Sequence, residues 1–260
     1  MSDLCRLDRG RLGLGMKSPP ITLDRVTLRH GRRDIVRDLS GVFAPGSLTA
    51  LIGPNGSGKT TLLRALARLH APAQGRIDLG GLARHDIALL PQASAMDRSF
   101  PITCRDVVAL GMTARLGPFR AIGPAHLDAA DQALVAVGLH DHGNRQIGAL
   151  SAGQFQRVLF ARMIVQDAPV LLLDEPFSAV DPATLTDLLA ILSTWHLQGR
   201  TIVTVLHDLD LVHDAFPRTL MLSDDRPIWG TTAATLTEAN RQRSGLSPRS
   251  AWSPRHQHAA

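Results

Sequence analysis

The sequence predicts an α/β fold with a mostly parallel sheet, an N-terminal region of short strands and an inserted all-helical segment. Three observations carry this prediction. Short apolar runs of the kind buried on both faces of a parallel sheet, "PVLLLDEP" and "TIVTVLHD", alternate with helix-like stretches. A glycine-rich turn, "GPNGSGKT" (53–60), joins a strand-like run to a helix-like run. From about residue 93 to 150 the texture changes to helical stretches separated by Gly and Pro. The expected organisation is a flexible tail over 1–20, a folded body over 21–235 with its helical part near 93–153, and a flexible basic tail over 236–260.

The elements follow in chain order. Residues 21–53, "ITLDRVTLRHGRRDIVRDLSGVFAPGSLTALIG", alternate apolar and polar side chains between Gly and Pro breaks and read as several short strands, the last feeding the glycine loop. "TTLLRALARLH" (60–70) places Leu62, Leu63, Leu66 and Leu69 at helical spacing. "TCRDVVALGMTARL" and "AHLDAADQALVAVGL" predict helices of the insertion, and "QFQRVLFARMIVQDA" (154–168) predicts the helix that follows. "PVLLLDEP" is then a buried strand, "PATLTDLLAILSTWHLQGR" a helix with Gly199 near its end, and "TIVTVLHD" a second buried strand.

Composition narrows the class. A chain of 260 residues, 44% hydrophobic and 20% charged, matches ordinary globular domains and is long enough for one large domain with an inserted subdomain. No apolar run approaches the roughly 18–20 residues needed to cross a bilayer. The interrupted N-terminus "MSDLCRLDRGRLGLG" has no signal-peptide core, so the chain is expected to stay inside the cell. Cys5 and Cys104 are the only cysteines and form no C-x-x-C spacing, which argues against a disulfide framework or a cysteine zinc site. The net charge of +5 is concentrated at the ends: residues 21–240 hold 20 basic and 21 acidic side chains. A nearly neutral body gives no footprint for specific nucleic-acid binding. Paired histidines in polar segments, His140 with His142 and His256 with His258, read as solvated rather than as metal ligands.

The turn at 53–60 satisfies G-x-x-x-x-G-K-[ST], with the strand before it and the helix after it that the chemistry requires. Gly53, Gly56 and Gly58, without Cβ atoms, let the loop through Pro54 and Asn55 bend so that the backbone N–H groups of Asn55 and of Ser57 to Thr61 converge on phosphate oxygens at a helix N-terminus. Lys59 is placed to reach β and γ phosphates, and Thr60 to offer its hydroxyl to Mg²⁺. Only Lys17 and Lys59 are lysine among 28 basic residues, so the body spends its single lysine here. This loop defines a P-loop nucleotide-binding core but does not separate kinases, GTPases, recombinases and transport ATPases.

Other segments sharpen the expectation. Asp174 and Glu175 stand at the C-terminal end of a buried strand, where open α/β sheets present their chemistry. Asp174 is suited to holding Mg²⁺, directly or through water, and Glu175 to acting as general base toward water. In "LSAGQFQRV", Ser151 opens a helix and Gly153 permits close approach, a pattern fitting either a second phosphate site or plain capping. Gln92 in "LLPQ" lies at the junction of sheet and insertion, where its amide could sense Mg²⁺ or water. His207 follows a buried strand, within reach of a γ-phosphate oxygen.

Taken in order, these elements resemble the ATP-binding subunits of ABC transporters over about residues 21–235. They comprise the Walker A loop GPNGSGKT, the Q-loop at Gln92, the signature LSAGQ, the Walker B run LLLDE, the D-loop Ser178-Ala179-Val180-Asp181 and the switch His207. The resemblance implies an ABC-type ATPase core with an N-terminal antiparallel β subdomain and an inserted α-helical subdomain. It implies a head-to-tail homodimer in the ATP-bound state, in which Ser151, Gly153 and Gln154 of one copy contact the γ-phosphate held by the other, with Asp181 at the same junction. It further implies transmembrane permease subunits, indirectly a substrate-binding protein, and residence at the cytoplasmic face of the membrane.

Two departures from the family pattern stand out. The chain has no tyrosine, and the position where the family often stacks adenine on an aromatic ring is His30; Ala152 replaces a commoner glycine of the signature. The segment "PQASAMDRSFPITCRDVVALGM" (91–112) is similar to that of metal-ion importer ATPases, which favours zinc as cargo, with manganese, iron, a siderophore or cobalamin as alternatives. An ABC-type ATPase acting on DNA or ribosomes would need a coiled-coil insert, a second ATP site or a basic body. A P-loop kinase would leave LSAGQ, Gln92 and His207 without a role.

Overall fold

The computed structural model describes residues 18–117, 121–223 and 226–246. Two sheets form. Strands β1 (Ile21–His30) and β2 (Arg33–Phe43) pair antiparallel, and β4 (Gln74–Asp78) joins the free edge of β1 to give the order β2-β1-β4. The second sheet has six strands in the order β5-β6-β7-β3-β8-β9, built from β3 (Leu48–Ile52), β5 (Ile87–Leu90), β6 (Val170–Asp174), β7 (Thr201–Val205), β8 (Arg218–Met221) and β9 (Ile228–Thr231). All its pairings are parallel except β8 with β9.

Alternation along the buried strands sorts side chains to two cores. Val170 and Leu172 of β6, Val203 and Val205 of β7 and Leu51 of β3 face a cluster with Leu62, Leu63 and Leu66 of helix α1 (Lys59–Leu66) and the apolar face of β1 and β2. Leu171 and Leu173, Ile202, and Ala50 with Ile52 face the opposite cluster, which holds the inserted helices. The sheet is therefore covered on both sides, which is why β3, β6 and β7 are buried at every position and mostly apolar.

Between β5 and β6 the described residues form only helices and turns, with one isolated bridge, Thr103 to Gln146. Helices α2 (Cys104–Ala109), α3 (Thr113–Leu116), α4 (Pro124–Ala136) and α5 (Ala152–Gln166) make up this part, and α2, α4 and α5 pack on one another. The run 103–116, expected as one helix, is broken by a 3₁₀ turn at Leu110–Met112. A Cβ on Gly111 would lie 2.6 Å from the Arg162 carbonyl oxygen, so the break accompanies a backbone approach that only glycine permits. Helix α6 (Pro182–Leu197) crosses back to β7, and α7 (Leu209–Ala215) leads to β8.

Two boundaries differ from expectation. Helix α1 ends at Leu66 rather than near His70, because Arg68 takes the left-handed conformation (φ 59°) and the N–H groups of Arg68 and Leu69 close back on the carbonyls of Ala65 and Arg64. The expected tail from 236 begins instead as folded chain. Helix α8 (Thr232–Thr235) is followed by α9 (Glu238–Arg243), capped by the Thr237 side chain, and Ser244 is buried. Leu236 and Leu246 pack against the core, which holds this stretch down. Residues 1–17 and 247–260, including His256 and His258, lie outside the described residues.

Candidate nucleotide site

Four parallel strands end side by side in the order β5-β6-β7-β3, and each delivers a site residue just past its last position. Gln92 follows β5, Glu175 follows β6, His207 follows β7 and Gly53 follows β3. The parallel register, with Leu173 opposite Thr204 and Asp174 opposite Val205, brings these ends to one edge.

The loop from β3 to α1 is held by its glycines. A Cβ on Gly53 would meet both the Leu222 carbonyl oxygen and Ser57 Oγ at 2.7 Å; one on Gly58, the left-handed N-cap of α1 (φ 94°), would lie 2.6 Å from Val36 Cγ2. The Lys59 ammonium is buried and curls back, donating to the carbonyls of Gly53 (2.8 Å) and Pro54 (2.9 Å). Burial pulls its pKa below the ordinary lysine value, while the carboxylates of Glu175 and Asp174 oppose that shift. Ser57 Oγ is buried with no partner among the described residues. The loop presents the N-terminal N–H groups of α1, which have no acceptor within the helix. Pro54, Asn55, Thr60 and Thr61 thus sit in an arrangement suited to an anion, with a cation behind it.

Asp174, at the end of β6, is 5% exposed, and its Oδ1 atom has no hydrogen-bond partner among the described residues. Burial raises its pKa above the usual carboxylate range; the Thr60 hydroxyl pulls the other way and Glu175 adds to the rise. An orphaned carboxylate oxygen beside a threonine hydroxyl fits the oxygen donor set of a hard cation such as Mg²⁺. Without that cation the charge is costly. Asp174→Asn is therefore expected to raise the melting temperature of the nucleotide-free protein by about 2–4 °C at neutral pH. Because the folded-state pKa is raised, the native protein loses stability as pH climbs from the unfolded value through the folded one. The gain from Asp174→Asn should accordingly vanish in acid below the unfolded carboxylate pKa, which thermal melts across pH would show.

Glu175 takes a left-handed backbone conformation (φ 50°) that costs a non-glycine residue of order 1–3 kcal/mol. Its side chain enters a hydrogen-bonded hub. Oε1 lies 2.6 Å from His207 Nε2; Oε2 accepts from Gln92 Nε2 at 2.8 Å and from Ser178 Oγ at 3.2 Å. Gln92, Glu175 and His207, identified separately in the sequence, thus converge on one carboxylate. Ser178, named in the D-loop without a role, is the fourth member of that hub.

Ser151 caps α5: its Oγ accepts from the Gln154 N–H (3.2 Å), and Gln154 Oε1 accepts from the Ser151 N–H (3.1 Å). The Gln154 amide nitrogen also lies 3.5 Å from His142 Nε2. Asp181 caps α6 through the N–H and hydroxyl of Thr184, bonds that lower its carboxyl pKa. A Cβ on Gly153 would sit 3.5 Å from Asp181 Oδ2. Among the described residues no hydrogen bond joins 151–154 to 53–61, so the signature and the glycine loop do not meet through polar contacts within one chain. His30 ends β1 opposite Arg33 and is exposed.

A phosphate loop, a buried strand-end carboxylate, a second carboxylate gripped by glutamine and histidine, and a separate serine-capped helix define an ATP-hydrolysing domain of the ABC type. The chain belongs to the ABC transporter family, whose profile matches residues 36–178. It is 36% identical over 229 residues to the manganese transport system ATP-binding protein MntB of Bacillus subtilis, covering 86% of this chain and 92% of that protein. It is 37% identical over 228 residues to the zinc transport system ATP-binding protein TroB of Treponema pallidum, covering 86% of each. Among solved structures, a chain of an inward-facing transporter assigned to the metal-chelate type superposes with TM-score 0.78 at 28% identity, over 88% of this chain and 89% of that one. A bacterial ABC transporter cassette solved as a dimer gives 0.69 at 25% identity, over 80% and 98%. Among the described residues no helix is long and apolar enough to cross a membrane.

Proposed function

We propose that this chain is the ATP-hydrolysing subunit of a metal-ion importer, working as a homodimer on transmembrane permease subunits at the cytoplasmic face of the membrane. The observation that carries the catalytic half is the convergence of Gln92, Glu175, His207 and Ser178 at the sheet edge that also supplies the Lys59 loop. On this reading the Lys59 ammonium exchanges the Gly53 and Pro54 carbonyls for β- and γ-phosphate oxygens, and the N–H groups of 55–61 cradle the triphosphate. Asp174 and Thr60, with Gln92, would hold Mg²⁺, which would supply positive charge against that developing on the phosphate oxygens. Glu175 takes a proton from the attacking water, and His207 orients the γ-phosphate. Ser151, Gly153 and Gln154 complete the site from the second copy, with Asp181 beside them, while His30 lies at the adenine end.

The folded unit is 21–246 in this reading, with the helical part, about 93–153, and the Gln92 segment facing the permease; a substrate-binding protein acts indirectly. Specific nucleic-acid binding has no part in it. The cargo is a divalent metal ion, zinc or manganese. The segment 91–112 favours zinc, whereas manganese-system relatives outnumber zinc-system ones at comparable identity. Vesicles carrying the chain with its permease and receptor are expected to take up radioactive zinc or manganese only with ATP and to turn over ATP without an added acceptor. Acceptor-dependent phosphoryl transfer would instead mark a kinase.

A further inference from the structure

We propose that Arg98 is a positioning residue for the signature, fastening the segment after Gln92 to the loop that presents Ser151. The inference rests on the reading of Ser151 as a phosphate contact made across the dimer. Arg98 is part-buried and lies six residues beyond Gln92. Its guanidinium donates to the carbonyl of Ile147 (Nη2, 3.1 Å; Nε, 3.4 Å) and, through Nη2, to that of Leu150, the residue immediately before Ser151. Its Cζ also stands 4.8 Å from the centre of the Phe155 ring, one turn into α5. One side chain therefore grips both sides of Ser151.

The backbone repeats the association. A Cβ on Gly148 would lie 2.9 Å from the Arg98 carbonyl oxygen, so glycine lets the two segments touch. Farther along, the Ile147 N–H donates to the Ile102 carbonyl (3.1 Å) and the Cys104 N–H to that of Arg145 (2.8 Å). Residues 98–104 thus run beside 145–150, with the guanidinium at the end nearest Ser151. Because Gln92 at the start of the same segment is bonded to Glu175, displacement of 92–98 would reach both the hydrolytic carboxylate and the signature. A planar, five-donor cation suits this position, since two carbonyls and a ring face fix it in three directions, whereas lysine keeps the charge and loses the fork.

The test uses full-length protein in the Glu175→Gln background, where ATP-driven dimers accumulate if the reading of the site holds. Adding Arg98→Ala should weaken MgATP-driven dimerisation, measured by sedimentation, by about tenfold, the scale of one lost charge-assisted hydrogen bond. Nucleotide affinity of the monomer, followed with a fluorescent ATP analogue, should stay within about twofold, since Arg98 makes no bond to residues 53–61. With Glu175 intact, Arg98→Ala should lower kcat while leaving the KM for ATP nearly unchanged, and Arg98→Lys should recover part of the loss. Should Arg98→Ala fail to fold, the Arg98→Lys variant carries the comparison, and its dimerisation should fall between wild-type arginine and none. Dimerisation equal to the parent in a folded Arg98 variant overturns the proposal. If Glu175→Gln alone never dimerises, the reading of the site itself has failed, and Arg98 with it.

Discussion

Glu175→Gln should bind MgATP with near-normal affinity, lose hydrolysis by about 10²–10⁴-fold and accumulate as a dimer. The amide is nearly isosteric and can still meet Gln92, Ser178 and His207, whose contacts at 2.8, 3.2 and 2.6 Å hold the side chain in place. What it cannot do is accept a proton from water. Binding depends on the loop around Lys59, which Glu175 influences only through its charge. The expected signature is a split between retained affinity, measured by equilibrium binding, and lost turnover, measured by phosphate release. Near-normal turnover would remove Glu175 from the chemistry.

Ser151→Arg should abolish turnover, by about 10²–10³-fold or more, while the monomer binds ATP normally. The loss has two origins that a second variant separates. Ser151 is the N-cap of α5, and removing such a cap costs about 0.5–2 kcal/mol of helix stability. Asparagine caps helices as well as serine, so Ser151→Asn should melt near the parent; its residual activity then reports on the phosphate contact rather than on the helix. Arginine adds bulk and charge at the surface where the second copy must close. Loss of nucleotide binding by the monomeric Ser151→Arg protein would contradict a contact made in trans, because no hydrogen bond connects 151–154 with 53–61 inside the chain.

Much of this site was legible in the sequence because the chemistry imposes local patterns. The phosphate loop needs glycines at fixed offsets and a lysine at a helix start, and Gly53 and Gly58 occupy positions where a methyl group would collide with Leu222, Ser57 or Val36. The buried strands read correctly because β6 and β7 are buried on both faces and carry mostly apolar residues. Strand β4 escaped notice because its residues are mostly exposed and polar, and β5 because four residues are too few to show a period. The Glu175 hub joins bonded partners up to 83 positions apart, and nothing in the sequence records that Gln92 and Ser178 meet the same oxygen. Arg98 was invisible for the same reason: its partners are carbonyl oxygens, which every residue carries. The end of α1 was misjudged because a left-handed arginine, rather than a glycine, closes it. The helix α9 was taken for tail because its polar surface outweighs the two leucines, Leu236 and Leu246, that flank it and pack inward.

The central claim is that two copies enclose the nucleotide between the Lys59 loop of one and the Ser151 helix tip of the other. A crystal structure of the Glu175→Gln protein with MgATP addresses it directly. The account predicts a head-to-tail dimer in which Ser151 of each copy lies at hydrogen-bonding distance, about 2.5–3.0 Å, from a γ-phosphate oxygen of the ATP seated on the other copy's Lys59. An ATP-loaded structure in which Ser151 approaches no phosphate would contradict it.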